Sequence, residues 1–147
     1  MSMLIRAVKR TDYDQWKQLW QAYRLFYKAP ASAEVTETTW NRFFDGIEPV
    51  NAFVAEKNDH IVGLVHYIFH RSTWFVEPTC YLQDLFTVEA MRGAGIGRAL
   101  IQAVYEQAKA NNAARVYWLT HETNETAQSL YDQIAEKSGF IQYRKNL

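Results

Sequence analysis

The sequence predicts a mixed α/β fold, and three observations support that prediction. The chain has 147 residues, which suits one domain built around one hydrophobic core. Apolar residues recur at three- and four-residue spacing in some segments and alternate in others, which are the periods of helices and strands. The later segments follow the order strand, helix, strand, helix, which is typical of parallel βαβ units. We therefore expect residues 1–147 to form a single domain.

Composition excludes several classes of function. The 16 Lys and Arg residues balance the 16 Asp and Glu residues, so the chain lacks the overall basic charge that favours nucleic-acid binding. One cysteine, Cys80, excludes an internal disulfide framework and fits a reducing compartment. The first residues lack the apolar core of a signal peptide, and no apolar run is long enough to span a membrane. We expect a cytoplasmic protein with no membrane or nucleic-acid partner.

The first third of the chain predicts a short strand and two helices. Residues 3–9 suit a strand, and residues 11–28 form an amphipathic pattern in which Thr11 and Asp14 resemble a capping box. The inward-facing residues of this pattern are Trp16, Leu19, Trp20, Tyr23 and Tyr27. Residues 35–46 predict a second helix with Thr36 as its N-cap and Gly46 as its end.

The remaining elements alternate more regularly. Residues 51–70 contain two strand-like runs joined at Asn58-Asp59, a pair typical of hairpin turns. Residues 79–88 predict a further strand, and residues 95–112 a helix. A strand over 114–120, a helix over 124–137 with Asn124 as its N-cap, and a closing strand over 140–144 complete the prediction.

The segment "LFTVEAMRGAGIGRALI", residues 85–101, places three glycines between a strand and a helix. Glycines before a helix N-terminus allow a phosphate to approach unpaired N–H groups at the positive end of the helix dipole. A P-loop would need Lys-Ser or Lys-Thr after Gly97, where Arg98-Ala99 stand. A dinucleotide fingerprint would need a glycine at Arg98 or Leu100, and would occur in the first βα turn of the chain.

The pattern R-x-x-G-x-G from Arg92 to Gly97 resembles the acetyl-CoA pyrophosphate loop of the GNAT superfamily of N-acetyltransferases. A second motif, N-x-x-A-x-x-L-Y over residues 124–131, follows in the order that this family uses. The resemblance spans about residues 81–143, and the run 116–131 is most similar to the histone- and polyamine-acetylating branch. It implies a central mixed sheet with an antiparallel N-terminal hairpin, a parallel βαβ unit at the acetyl-CoA site, and about four flanking helices.

The resemblance also implies which residues bind acetyl-CoA. Peptide groups of one strand end would pair with the pantetheine arm as an added strand does, and an N–H there would polarise the thioester carbonyl. The loop and its flanking arginines would hold the diphosphate, and the side chain of Asn124 would contact the cofactor. The residues implied are Phe86, Thr87, Val88, Arg92, Gly93, Ala94, Gly95, Ile96, Gly97, Arg98, Asn124 and Tyr131.

Acetyl transfer to an amine raises two proton problems. A lysine-like amine has a pKa of about 10.4, so about one molecule in two thousand is neutral at pH 7. The departing CoA thiolate, in turn, benefits from a proton donor. By resemblance Tyr131 is the donor, with a packed helix aromatic as the alternative interpretation of that residue.

Asp84 is our candidate for the base, acting directly or through a water, because a carboxylate in an apolar central strand must be solvated, paired or used. Strand alternation predicts that Leu82, Asp84 and Phe86 share one side of the sheet. An ion pair or a turn cap is the alternative for Asp84, and Glu122 is the reserve candidate.

A metal site is not expected. His66 and His70 are four residues apart in a strand, which separates them by about 13 Å, too far for one ion. For the acceptor amine, the acidic residues near the second helix would favour a cation such as a polyamine or a lysine-like group. A solvated helix face explains the same residues, which are Glu34, Glu37, Asp45 and Glu48.

One departure from the family pattern concerns the end of the chain. Gly139-Phe140 follow Tyr131 about one helical turn later than usual, and one added turn would keep the helix face. Cys80 matches no acyl-carrier motif, which favours direct transfer to a primary amine without a covalent enzyme intermediate. We expect an enzyme that forms a homodimer, and the alternative is a non-catalytic acyl-CoA-binding sensor.

Overall fold

The computed structural model describes residues 3–147, which form a five-stranded sheet and four α-helices. The strands lie in the order in which they follow one another along the chain. Each neighbouring pair is antiparallel except the last, which is parallel. The strands are β1 (Leu4–Ala7), β2 (Val50–Lys57), β3 (His60–His70), β4 (Thr79–Thr87) and β5 (Arg115–Tyr117). The helices are α1 (Tyr13–Phe26), α2 (Ala33–Arg42), α3 (Ile96–Ala110) and α4 (Glu125–Ile134). The predicted mixed α/β class is confirmed.

The hairpin between β2 and β3 turns at the predicted pair. Asn58 and Asp59 both have positive φ angles, +53° and +64°. Two consecutive left-handed residues match the twist of a two-residue hairpin, and Asn and Asp tolerate that conformation better than most residues. The local sequence therefore decides the register of this hairpin.

Helices cover both faces of the sheet. On one face α3 packs against β2, β3 and β4, with Leu100, Ile101 and Val104 fully buried, and residues of α4 pack at the edge of this cluster. On the other face α1 and α2 bury Trp16, Trp20 and Trp40. Burial of these large apolar side chains is the main force that holds the helices to the sheet.

Gly63 of β3 sets the distance between α3 and the sheet. A Cβ atom at this position would lie 2.9 Å from Cγ2 of Ile96, the first residue of α3, and 3.2 Å from Cδ1 of Leu100. The absence of a side chain lets the N-terminus of α3 approach the sheet next to the end of β4.

The two N-terminal helices begin at other residues than the sequence patterns suggest. A short 3₁₀ turn over Arg10–Asp12 precedes α1, and Asp12 Oδ2 accepts from the Lys9 N–H at 2.7 Å, so the expected capping box of Thr11 with Asp14 is wrong. Ser32 caps α2 by accepting from the Val35 N–H at 3.1 Å.

The predicted limits of α2 are wrong at both ends for identifiable reasons. Thr36 lies within the first turn of the helix and is buried, so it does not serve as the N-cap. The helix ends at Arg42, four residues before Gly46. Both Ser32 and Thr36 are of the type that caps helices, and the structure uses Ser32 while it buries Thr36.

The end of the chain also differs from the prediction. The strand β5 covers three residues. The helix α4 ends at Ile134, before its predicted end at residue 137, so the longer segment between Tyr131 and Gly139 does not add a full helical turn after Tyr131. Residues 135–147 contain no strand, and the expected closing strand over 140–144 is wrong. Its apolar residues Phe140 and Ile141 are 78% and 77% exposed in this unpaired segment.

Across residues 3–147, none of the helices combines the length and the apolar character needed to cross a membrane.

Candidate active site

The two parallel strands separate soon after they begin. Pairing joins Thr79–Tyr81 of β4 to Arg115–Tyr117 of β5 and ends there, although β4 continues to Thr87. Within the described residues, positions 82–87 of β4 pair with β3 and have no partner on the β5 side. An extended ligand can therefore enter between the strands and bond to the open edge of β4.

The predicted residues Phe86, Thr87 and Val88 differ in whether their peptide groups can bond to a ligand. Phe86 and Thr87 lie in the open part of β4 and are half-buried. The peptide of Val88 is already engaged, because its N–H donates to the Val62 carbonyl and its own carbonyl accepts from the Met91 N–H, both at 2.9 Å. Residues of an antiparallel ladder alternate in the edge that their peptide groups face, so among these three Thr87 faces the open side, where its N–H is available to a ligand.

The glycine loop adopts a conformation that only some of its residues require. Gly93 and Gly95 have φ angles of +82° and +81°, in the left-handed region that glycine adopts without strain. Gly97, in the first turn of α3, has ordinary geometry, and a Cβ there would lie 3.9 Å from Leu130. The first two glycines thus serve the fold of the loop, whereas no contact within residues 3–147 requires a glycine at position 97.

The N-terminus of α3 presents its N–H groups without a cap. The first helical hydrogen bond runs from the Ala99 N–H to the Gly95 carbonyl at 3.0 Å, and no side chain within residues 3–147 caps this end. Four N–H groups at the start of a helix have no helical partner, and the helix dipole places about half a positive charge there. This arrangement is suited to an anion such as a diphosphate.

Two arginines flank the loop. Arg92 donates to the Thr87 carbonyl at 3.3 Å, and its guanidinium lies 5.8 Å from the ring of Phe26 and 5.7 Å from that of Phe86. Arg98 donates to Gln133 on α4. Neither arginine forms a salt bridge with an acidic residue in the described part of the chain, so both charges remain available next to the loop.

A β-bulge turns Asp84 toward the α1 side of the sheet. His66 of β3 pairs with Asp84, and the next residue, Tyr67, pairs with Leu82, so Gln83 is an extra residue in β4. The bulge reverses the alternation at this point: Leu82 packs in the core under α3, whereas Phe86 packs on the α1 side. The prediction that Leu82 shares a side with Asp84 is therefore wrong, because a local sequence pattern contains no signal for a bulge.

Asp84 is bonded to a buried histidine that the sequence analysis considered only as a metal ligand. His66 Nδ1 lies 2.9 Å from Asp84 Oδ2, and the Trp16 indole N–H donates to His66 Nε2 at 3.0 Å. His70, in contrast, contacts the hydroxyl of Tyr117 at 2.7 Å. The two histidines thus bond to different partners, and within residues 3–147 no group of three His, Cys, Asp or Glu side chains could hold a metal ion.

Tyrosines surround the carboxylate of Asp84. Burial, followed by the negative charge of Asp84, raises the pKa of Tyr23, Tyr27 and Tyr81 above the usual value of 10. Tyr23 lies on α1, Tyr27 directly follows that helix, and Tyr81 lies on β4. The sequence analysis assigned Tyr23 and Tyr27 to the core on their helical spacing, which does not distinguish a packed ring from a site wall.

Tyr131 lies on α4 at the edge of the same region. Its ring packs edge-on against Trp118 with 5.3 Å between centroids. Burial, and then the nearby Tyr27, raise the pKa of its hydroxyl, and that hydroxyl has no hydrogen-bond partner within residues 3–147. The phenol is therefore held protonated and free to donate.

Two further candidates lie before α4. Asn124 is the predicted N-cap, and its Oδ1 accepts from the Ala127 N–H at 3.3 Å, which confirms the cap. Its amide nitrogen is not used by the cap. Glu122, the reserve candidate for the base, is exposed in the loop after β5, where its backbone carbonyl accepts from Gln128 at 3.0 Å.

Cys80 is fully buried in the core under α3, and burial raises the pKa of its thiol to about 12. A buried, protonated thiol is a poor nucleophile. The environment of Cys80 is consistent with its prediction as a small apolar residue.

Comparisons with known proteins agree with this geometry. A sequence profile described as the acetyltransferase (GNAT) family matches residues 14–135. The D-amino-acid N-acetyltransferase of Saccharomyces cerevisiae is 36% identical over 147 residues, which cover 98% of this chain and 91% of that protein.

Two solved structures share the fold at low sequence identity. A ribosomal-protein-alanine N-acetyltransferase from Brucella melitensis superposes with a TM-score of 0.84 at 18% identity, covering 99% of this chain and 100% of the other. An aminoglycoside N-acetyltransferase, AAC(6')-Iy in complex with CoA, gives a TM-score of 0.83 at 17% identity, covering 99% and 96%. Together with the open β4 edge and the uncapped helix, these similarities lead to one conclusion: the chain belongs to the GNAT family and is an acetyl-CoA-dependent N-acetyltransferase.

Proposed function

We propose that the protein transfers the acetyl group directly from acetyl-CoA to a primary amine of a small molecule or peptide, within a ternary complex. The observation that carries this proposal is the alignment of the open β4 edge with the uncapped N-terminus of α3. A ligand that is extended at one end and anionic at the other matches both features. Acetyl-CoA, with its pantetheine arm and diphosphate, has that form.

The donor would bind along this line. The Thr87 peptide would pair with the pantetheine arm with Phe86 beside it, and the segment 92–98 would hold the diphosphate by its N–H groups and arginines. Gly97 supports this assignment because its lack of a side chain has no other reason within the chain. Asn124 would contribute the amide nitrogen that its cap leaves free.

Asp84 is proposed as the base and Tyr131 as the acid. Asp84 would take one proton from the acceptor ammonium, and the neutral nitrogen would then form a bond to the thioester carbon. When the carbon–sulfur bond breaks, Tyr131 would give its proton to the leaving thiolate. The acetylated nitrogen would then lose its second proton, which would return to the Tyr131 oxygen directly or through a water and restore the phenol. The raised pKa of the Tyr131 hydroxyl supports this role, because a donor must remain protonated at the working pH.

The position of Arg115 relative to Asp84 helps to define the class of acceptor. Arg115 of β5 is level with Thr79 of β4, four strand steps from Asp84 once the bulge is allowed for, or roughly 13 Å. Its guanidinium lies 4.6 Å from the Phe75 ring and forms no salt bridge within residues 3–147. The stacked rings of Tyr81 and Tyr117, 5.0 Å apart, lie between the two charges.

The distance between Asp84 and Arg115 favours a lysine-like acceptor over the other amines that the sequence suggested. Its side-chain amine would lie at Asp84 and its carboxylate would point toward Arg115. A polyamine has no carboxylate, and two of the four acidic residues that suggested one have other partners: Glu37 accepts from Tyr13, and Glu48 lies 3.8 Å from Arg42. Membership of the histone- and polyamine-acetylating branch, which the sequence resembles, remains a proposal.

The second candidate acceptor is the α-amine of a free amino acid. The 36% identical relative from Saccharomyces cerevisiae, a D-amino-acid N-acetyltransferase, supports it. An α-amine and its carboxylate are too close together to reach both Asp84 and Arg115, so this acceptor would need another partner for its carboxylate.

A panel of amines tests these alternatives. Thiol release from acetyl-CoA would be measured with lysine, both enantiomers of neutral amino acids, spermidine, an aminoglycoside and a basic peptide, and the acetylated nitrogen located by mass spectrometry. We expect acetylation of the lysine side chain, weakened by Arg115→Ala. Acetylation at α-nitrogens supports the second candidate, and tight CoA binding without turnover on any amine supports the sensor.

We also propose that the protein is a cytoplasmic homodimer. The balanced charge and single buried cysteine support a reducing compartment. The exposed apolar residues of segment 138–147 support association with a second copy, because apolar side chains of this size are costly to leave in water.

A further inference from the structure

His66 is a buried polar residue within an otherwise apolar strand. Its side chain is 2% exposed, and the rings of Trp20 and Phe43 lie 5.1 Å and 4.9 Å from the imidazole. A buried imidazole is tolerated when its nitrogens are hydrogen-bonded, and both nitrogens of His66 are. One partner, the indole of Trp16, can only donate a hydrogen bond, and the other is the carboxylate of Asp84.

The partners define the tautomer of His66. The indole N–H of Trp16 can only donate, so Nε2 of His66 must accept and carries no proton. Nδ1 then carries the proton and donates to Asp84 Oδ2. Together, the two contacts define a His66 ring that carries its proton on Nδ1 and accepts from Trp16 at Nε2.

We propose that His66 and Trp16 are positioning residues that hold Asp84 in the orientation needed to deprotonate the acceptor amine. This inference rests on the proposed function of Asp84. The bond from His66 to Oδ2 fixes the orientation of the carboxylate plane. The bulge at Gln83 sets the face of the sheet on which Asp84 lies, and the bond from His66 orients its carboxylate on that face.

Two substitutions of equal shape separate positioning from packing. The side-chain nitrogen of asparagine and Nδ1 of histidine are the same number of bonds from the backbone, so His66→Asn retains a donor toward Asp84. His66→Leu has nearly the same shape as His66→Asn and has no donor. Both variants lose the contact with Trp16 and leave a similar void, so their difference reports the hydrogen bond to Asp84.

The expected result is a difference in kcat. His66→Leu should have a kcat lower than that of His66→Asn by about tenfold to a hundredfold, the range for losing one hydrogen bond to a charged group. The KM for acetyl-CoA should be the same in both variants, since neither change touches the glycine loop. Equal kcat values in two variants that are folded by circular dichroism would overturn the inference.

Asp84→Asn distinguishes failure of the inference from failure of the proposed function. If Asp84→Asn retains the wild-type kcat, Asp84 is not the base and both proposals are wrong. If Asp84→Asn lowers kcat, adding His66→Leu to it should cause little further loss, because His66 acts through Asp84. A full additional loss in the double variant would overturn the positioning role alone.

The tautomer provides a second measurement that does not depend on activity. Nitrogen-15 NMR of the full chain, with the His66 signals assigned by their loss in His66→Asn, should show a neutral ring protonated on Nδ1. Trp16→Phe keeps most of the packing and removes the indole donor, so this preference should weaken. A ring protonated on Nε2 in the wild-type protein would overturn the inference.

Discussion

Among single residues, Tyr131 offers the most direct test of the chemistry. We expect Tyr131→Phe to lower kcat by about 10² to 10⁴, the usual contribution of a positioned acid. The KM for acetyl-CoA should change little, because the ring contact with Trp118 persists. The measurement is thiol release at saturating acetyl-CoA.

The pH dependence of Tyr131 has a defined direction. Its pKa lies above the usual 10, so the hydroxyl remains protonated and able to donate throughout the neutral range and up to about pH 10. Tyr105→Phe is the matched control, since that hydroxyl donates to the Ile134 carbonyl at 3.0 Å, within the structure. A Tyr131→Phe variant as active as this control would contradict the assignment.

At the scale of elements, the glycines at the start of α3 allow effects on stability to be distinguished from effects on ligand binding. Gly97→Ala should leave the melting temperature unchanged or raise it, because alanine favours a helix by about 1 kcal/mol over glycine and the new Cβ has room. The same change should weaken CoA binding, because it places a methyl group where the diphosphate is expected to approach.

Calorimetry and thermal unfolding of Gly97→Ala would check this prediction together. Gly95→Ala should instead lower stability, since its φ of +81° strains any residue with a Cβ. Gly46→Ala is the control for both, because no atom lies within 4 Å of the added carbon and the site is remote in sequence from the loop. Unchanged CoA affinity in Gly97→Ala would argue against a diphosphate at this helix end.

At the scale of the whole molecule, the end of the chain leads to a prediction about assembly. We expect sedimentation to show a dimer that dissociates more readily when Phe140 and Ile141 are both replaced by serine, since both side chains are exposed. Ile47→Ser is the matched control, because Ile47 is 93% exposed in the connection after α2. A wild-type monomer at micromolar concentration would contradict the homodimer, and an unaffected dimer in the double variant would exclude this segment as the contact.

Much of the fold could be predicted because its signals are local. Asn58-Asp59, the glycine loop and the Asn124 cap each depend on a few consecutive residues whose backbone preferences are strong, and the structure has a turn, a loop and a cap at these places. The predicted ends of α2 and the predicted strand over residues 140–144 were wrong. In both cases two local choices were comparable, and contacts with distant residues, or their absence, decided between them.

The sequence by itself determined the element order as far as α4, the glycine loop before α3 and the family, because motif spacing along the chain carries that information. Only the tertiary structure decided what surrounds Asp84. The bulge at Gln83, the Trp16–His66–Asp84 hydrogen bonds and the tyrosines of α1 join residues up to 68 positions apart, from Trp16 to Asp84. No local pattern specifies such contacts, because the register between β3 and β4 and the docking of α1 are set by burial over the whole core.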